Sequence, residues 1–532
     1  MKTRVLLRSQ MSRPLGLRLG CWLLLTWVSC TAFSSAQQPP KSNGARTPLR
    51  KVRWLVRDSR SQPIACHLFL TDQSKQIVKP RETSAPFWKD HICIDGSLEL
   101  QLPPGHYHYV AERGPEWSKQ TGSFSVSAAP STAHQQLITL SRRRDLASEG
   151  WYSGDLHVHR PIEQIEPLMK AADLHVAPII TWWNRTNPWK DHALPPSEVT
   201  VFDRNRFYSR LAGEDERGGG ALIYYGLNRP IDITQANRET PSSVHFLAQA
   251  KTAGQRVHAS IEKPFWKDVP LWLASGQVDS IGLAHNHMWR RGVLDNEAWG
   301  RTRDLKHWPG NRGNGEYSQF LYYQILNAGI ALPPVAGSAS GVLPNPVGYN
   351  RVYAFVEGDL DYRAWWQAVE AGQVTVSNGP LLTVRCNNQL PGHRFRNGSS
   401  LRLTGKLTSD SSVKAIQIVH NGKVIDQLPV PPNGQLSIEH ALSIEDPGWF
   451  LVRAISDDQS TFHFASTGPF YLHDQRDKLP ISRSACELFL NWAKQRQQEL
   501  RAIQAPGMQK VLQDHQAGID FWQQRLDSAS SP

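Results

Sequence analysis

The stretch Gly154-Asp155-Leu156-His157-Val158-His159 carries the plainest chemistry in the chain. Side chains alternate faces along a strand, so His157 and His159, two residues apart, point the same way. Two neutral imidazoles on one rigid face can share a metal ion. Asp155 falls on that face too, a candidate to orient a ligand from behind and to assist the chemistry. Two more stretches end apolar runs that read as strands: Ile261-Glu262-Lys263-Pro264 and Ala284-His285-Asn286-His287. In α/β barrels, working groups gather at the C-terminal ends of strands. Glu262 and His287 are therefore candidate ligands, and Lys263 a candidate to stabilise developing negative charge. A plain hydrogen-bonded role stays open for Glu262, His285 and His287. His258, inside its strand, is assigned a structural part. The aromatic pairs Trp182-Trp183 and Phe265-Trp266 suit either a pocket wall or the core.

These residues need a frame, and the chain changes texture twice. From Lys51 to about Leu140 short strands alternate with turns, as in Val52–Val56. Leu98–Leu102, Pro103-Pro104-Gly105 and His106–Val110 read as strand, tight turn, strand, which suggests a small β-sandwich. From Gly150, strand-like runs (176–181, 221–225, 257–261, 280–284, 351–356) alternate with helix-like ones (165–172, 243–253, 317–328, 361–371). Such alternation argues for a parallel sheet or barrel. After Pro380 strands return, separated by turns such as Asn421-Gly422, and form a second sandwich. From about Ile481 two helices follow, broken at Pro506-Gly507, and their apolar stripes suit packing against the body or a partner. The expected organisation is a leader at 1–36, a linker and β-sandwich at 37–148, an α/β barrel at 149–383, a second sandwich at 384–475 and a helical segment at 476–532.

Tyr152-Ser153-Gly154-Asp155-Leu156-His157-Val158-His159 resembles the first motif of the PHP (polymerase and histidinol phosphatase) superfamily. Ala371–Pro380 and Phe464–Tyr471 resemble the end of the barrel and the closing strand of its CehA/McbA-like branch. The likeness spans about residues 150 to 475. It implies a distorted (β/α)7 barrel, metals at the C-terminal strand ends and hydrolysis of ester-like bonds. It also matches the family's bridging carboxylate to Glu214, within Ala212-Gly213-Glu214, although Glu214-Asp215-Glu216 also reads as an exposed acidic loop. Other positions depart. Thr181-Trp182-Trp183-Asn184 stands for Thr-Asp-His-Asn, Lys263-Pro264 for His-Pro, and Gly337-Ser338-Ala339-Ser340-Gly341 for Gly-Ser-Asp-x-His. The expected ligand set is His157, His159, Glu214, Glu262 and His287 around one divalent ion (Zn, Mn or Fe) instead of three. Asp155 and Lys263 are the candidate catalytic groups. Two readings compete: a hydrolase of an ester, phosphoester or carbamate, and a catalytically degenerate barrel that binds an envelope polymer or a partner.

The rest of the sequence bounds the setting. Five basic residues up to Arg18, an apolar run from Trp22 to Val28 and small residues at Ser34 and Ala36 read as a signal peptide cleaved after Ala36. That implies export to the periplasm or outside. The apolar run is too short to span a bilayer. Of the formal charge of +12, those five residues account for a large share, leaving +7 on the mature chain. No dense Lys/Arg run interleaved with aromatics points to nucleic acid; the expected substrate is a small molecule or an envelope polymer. Export permits disulfides, and Cys66 and Cys93 fall in one small domain where they could pair or stay free.

Overall fold

The computed structural model describes residues 48–81, 83–129, 134–252, 256–474 and 478–529. The leader, its expected cleavage after Ala36, and Cys21 and Cys30 lie outside them. Residues 48–529 belong to one compact unit. The molecule is mixed α/β and rich in sheet, as the sequence pattern implies. Among the described residues no helix is long and apolar enough to cross a membrane.

The N-terminal sheet contains β1 (Arg50–Asp58), β2 (Ala65–Asp72), β3 (His91–Asp95), β4 (Ser97–Leu102), β5 (Gly105–Glu112), β6 (Gln120–Val126) and β7 (His134–Leu140). Their order is β6-β5-β2-β3-β4-β1-β7, with β7 parallel to β1. Alternate residues point inward: Val52, Trp54 and Val56 meet Tyr107, Tyr109 and Ala111 in one core. The side chain of Gln120, at the head of β6, bonds to Leu137 and Thr139 on β7, so the sheet curls until its edges meet. The strand-turn-strand of Leu98–Val110 is not a hairpin. β4 pairs with β1 and β3, whereas β5 pairs with β2 and β6, so the Pro103-Pro104 turn carries the chain across the core. The Cys66–Cys93 pairing does not occur. Cys66 stands opposite Ile94 and Cys93 opposite His67, so a one-residue offset sends the thiols to opposite faces. Cys66 enters the sheet's own core, while Cys93 faces the next layer and donates to the Pro167 carbonyl at 3.3 Å.

The central part contains β8 (Trp151–Gly154), β9 (Val176–Trp183), β10 (Arg206–Arg217), β11 (Gly220–Tyr225), β12 (His258–Ile261), β13 (Ser280–Ala284), β14 (Pro334–Ala336), β15 (Arg351–Phe355) and β16 (Val374–Ser377). Helices α1 (Ile165–Ala172), α2 (Ser243–Ala250), α3 (Val269–Ser275), α4 (Gly310–Asn327) and α5 (Tyr362–Glu370) lie between them. Strands β9 to β14 are neighbours in sequence order. The segment just after β8 joins their two ends. The Leu156 N–H donates to Ala336 beyond one edge, the His159 N–H to Ser340, and the Ile180 N–H on β9 to Val158. The six strands thus close into a ring through Leu156–His159. The expected parallel arrangement holds only in part. β9/β10, β12/β13 and β13/β14 are parallel, but β11 runs antiparallel to both neighbours. The tight Arg217–Gly220 turn is the cause, because it leaves no room for a crossover helix.

The same sheet continues outward through β8, β15 and β16 into β23 (Phe464–Thr467), β22 (Gly448–Ile455), β19 (Ala415–His420) and β20 (Lys423–Pro429). A second layer of β17 (Leu381–Cys386), β18 (Leu401–Thr408) and β21 (Gln435–Leu442) covers it over a separate apolar core. Asn378 rivets the junction: its amide donates to the Phe462 carbonyl and accepts from the Phe464 N–H. The last helices, α6 (Arg483–Arg501) and α7 (Met508–Asp527), pack on the ring. Trp522 donates to the Pro270 carbonyl in α3, and Phe489 and Trp522 join the central core.

Candidate functional site

Three segments deliver the site to one end of the ring. His157 and His159 sit on the segment that closes it, held by the Leu156 and His159 N–H groups on their outer partners. Glu214 comes from β10, a 12-residue strand, and is 2% exposed, so the exposed-loop reading fails. The strand fits closely there: a Cβ at Gly213 would stand 1.7 Å from the Trp182 ring. Glu262 and Lys263 follow β12 and are buried as well.

The ligand atoms of His157, His159 and Glu214 lie within 4.8 Å of one another. His157 Nε2 is 3.0 Å from His159 Nε2 and 3.6 Å from Glu214 Oε2, and His159 Nε2 is 3.2 Å from the same oxygen. Donors bonded at about 2.1 Å to a tetrahedral ion sit roughly 3.4 Å apart, so these spacings fit a shared divalent cation. Burial lowers the basicity of His157, but the Glu214 and Glu262 carboxylates outweigh it and push its pKa up to about 10. His159 is shifted down, because burial outweighs its contact with Glu214. Without a cation, His157 therefore holds the proton between the two rings. Glu214 is held low by the two histidines against the pull of burial.

Glu262 does not join the three. Its Oε1 faces the other nitrogen of His157, Nδ1, at 3.4 Å, and neither atom has another hydrogen-bond partner. This is the arrangement in which a carboxylate behind an imidazole fixes its tautomer and orientation. The second oxygen of Glu262 accepts from Trp266 Nε1 at 3.0 Å and pairs with the Lys263 ammonium. Lys263 lies 4.4 Å over the Trp266 ring. Its charge is thus largely spent on Glu262, a departure from a free cation awaiting substrate.

The other expected residues are placed differently. Asp155 is fully buried and accepts from the His157 and Ser338 N–H groups at 3.1 and 2.9 Å and from the Gly348 N–H at 2.7 Å. Three amide donors converge on this carboxylate, so it positions the His157 backbone. His287 is outside the three-residue group, and its Nδ1 faces the Asn296 carbonyl at 2.9 Å. His285 meets the Ser318 hydroxyl at 2.9 Å. Burial and the nearby Lys263 hold both below the ordinary histidine range. Both pack against Phe265, His285 edge-on and His287 tilted, with ring centres 5.4 Å away in each case. Of the aromatic pairs, Trp183 stands at the site, 5.0 Å from the His159 ring, while Trp182 is core.

Sequence reasoning missed Glu216. It lies two residues past Glu214, so strand alternation puts it on the same face. Trp183 Nε1 donates to it at 3.2 Å, and the Asn184 side chain accepts from its N–H at 2.8 Å. Burial and Glu214 push its pKa up to about 7. Its signal was there in the Glu-x-Glu spacing, once β10 is known to be a strand. Gly337 was read only through the altered motif. It is small because His157 packs on it: a Cβ there would meet the His157 Cβ at 2.4 Å. Compared with known proteins, the chain matches no family model and no curated protein.

Proposed function

We propose that this chain is an exported metal-dependent hydrolase of an ester-type bond, either ester, phosphoester or carbamate, on a distorted (β/α)7 barrel like that of the PHP superfamily. The observation that carries the reading is the meeting of His157, His159 and Glu214 at one buried point, with Glu262 backing His157. His157 Nε2, His159 Nε2 and Glu214 Oε2 would hold one ion of Zn, Mn or Fe. Such an ion supplies Lewis-acid polarisation of the substrate oxygen and activation of water. The protein's own groups do the rest. Glu262 keeps His157 aimed, Trp183 walls the His159 side, and Glu216 supplies a carboxyl poised to carry a proton near neutral pH.

The test is metal analysis of the full chain after reconstitution with each ion, followed by a screen of nitrophenyl esters, phosphoesters and carbamates. Wild type should hold one ion per chain and turn over at least one class. His157→Ala with His159→Ala should abolish both. A chain that takes up no ion would defeat the reading. A second reading, a binding module on a degenerate barrel, draws support from Ala339 and Gly341 standing where the family has Asp and His, and from Lys263 being paired inside the site. Metal uptake without turnover of any substrate would favour it.

A further inference from the structure

Where the N-terminal sheet, the ring and the C-terminal layers meet there is a cavity of about 80 Å³. None of His157, His159 or Glu214 lines it. A buried water needs roughly 10–15 Å³ by this kind of measure, so the space holds several waters or one compact ion. His67 from β2, Arg290 from the turn beyond His287, and Arg351 from β15 all line it, with Glu112 from β5 and Lys119 just before β6.

The wall is short of acceptors. Arg351 is 1% exposed, yet it makes no direct ion pair among the described residues; its guanidinium donates to the Gly348 and Ala172 carbonyls, at 2.5 and 2.7 Å, and its Nη1 meets no acceptor in good hydrogen-bond geometry. Arg290 spends Nε and Nη2 on both oxygens of Glu112, and its Nη1 is buried without a partner. His67 is 3% exposed, and its Nε2 is likewise unpartnered. The oxygens nearby are already used. Both of Glu112 take Arg290, and Asp410 pairs with Arg143. The Tyr349 hydroxyl donates to the Trp289 carbonyl, and Asn378 is engaged at both ends. Donors without acceptors, one of them on a buried arginine that forms no direct ion pair, are costly unless an anion completes them.

We propose that this cavity is a binding site for a small oxyanion: phosphate, sulfate or a carboxylate. The ligand sits among the free Arg290 Nη1, the His67 imidazole and the Arg351 guanidinium, with Lys119 at the mouth raising the local anion concentration. It joins three layers of the fold through one set of charge-assisted hydrogen bonds.

The experiment is calorimetric titration of the full, chelator-treated chain with inorganic phosphate, sulfate and acetate, using chloride at matched ionic strength as the blank. Chelation removes any ion from the His157 site, and His157→Ala with His159→Ala is titrated in parallel, so failure of the metal reading leaves this test intact. One saturable site for at least one oxyanion is expected in both proteins, and the strongest of the three identifies the ligand class. Arg290→Gln should weaken binding by about tenfold or more, since it removes a charged donor. That variant leaves Glu112 without its partner and could unfold, so Lys119→Glu, half exposed at the rim, is the second probe. It should fold normally and weaken binding by about fivefold through charge reversal. No saturable binding of any of the three anions overturns the proposal, as does binding that both folded variants leave unchanged.

Discussion

Replacing Glu262 with Gln separates two roles of one carboxylate. Gln keeps the volume and one acceptor but removes the charge. On one side, His157 loses the carboxylate 3.4 Å behind its Nδ1. Loss of such support costs about 10- to 100-fold in metal affinity, or about 1.4–2.7 kcal/mol. On the other side, Lys263, 3% exposed, loses its ion-pair partner. Breaking a buried pair from one side costs about 3–5 kcal/mol of stability, because a lone charge stays inside. Adding Lys263→Met removes that charge while keeping an unbranched chain over Trp266. Glu262→Gln alone should then bind metal weakly and unfold in less urea. The double variant should bind metal just as weakly, yet regain stability to within about 1 kcal/mol of wild type. Competition with a chromophoric chelator reads the first quantity, and urea unfolding of chelator-treated protein reads the second. A double variant that binds metal like wild type would refute the supporting role of Glu262. One as unstable as the single variant would refute the ion-pair account.

Metal uptake should release a proton. His157 is held protonated up to about pH 10, so between pH 6 and 9 a cation must displace that proton, and apparent affinity should rise close to tenfold per pH unit; a flat profile in the same competition assay would contradict the assigned proton. Gly337→Ala, with its new methyl 2.4 Å from the His157 Cβ, should fold but lose metal affinity by about tenfold or more, measured against Ser338→Ala as a neighbour control. Asp155→Asn brings an amide against three backbone donors and should cost about 3 kcal/mol in urea unfolding; a loss of activity with stability untouched would return Asp155 to a chemical role. Reductant should leave the melting temperature unchanged, because Cys66 and Cys93 face opposite sides of their sheet.

The candidate site was legible where local periodicity governs it. His157 and His159 share a face because a strand has period two, and that holds in any fold. Glu262 was found as the end of an apolar run, but its part was not, since whether a carboxylate touches an ion or the far side of its ligand depends on about 3 Å of three-dimensional placement. The partners of Asp155 and His287 were hidden for the same reason: Gly348 and Asn296 lie in other loops. Glu216 was hidden because Arg206–Arg217 is too polar to announce a strand. In the fold, helices α1, α2 and α5 and the apolar strands showed in their patterns. The reversal of β11 did not, because the strand it turns back from, Arg206–Arg217, is too polar to show in the pattern.

The outward run of sheet from the ring through β15 and β16 to β20 bears on how this molecule can be handled and inherited. The ring that carries the candidate site is not a detachable part. Ending the chain near residue 383 would strip β23 from β16 and leave a bare, apolar strand edge, the kind that templates pairing between molecules. It would also remove the Phe462 carbonyl and Phe464 N–H that Asn378 grips. Fragments that carry every residue of the site should therefore aggregate, and sequence exchange between relatives should carry the ring and the layer behind it together, as a single cassette.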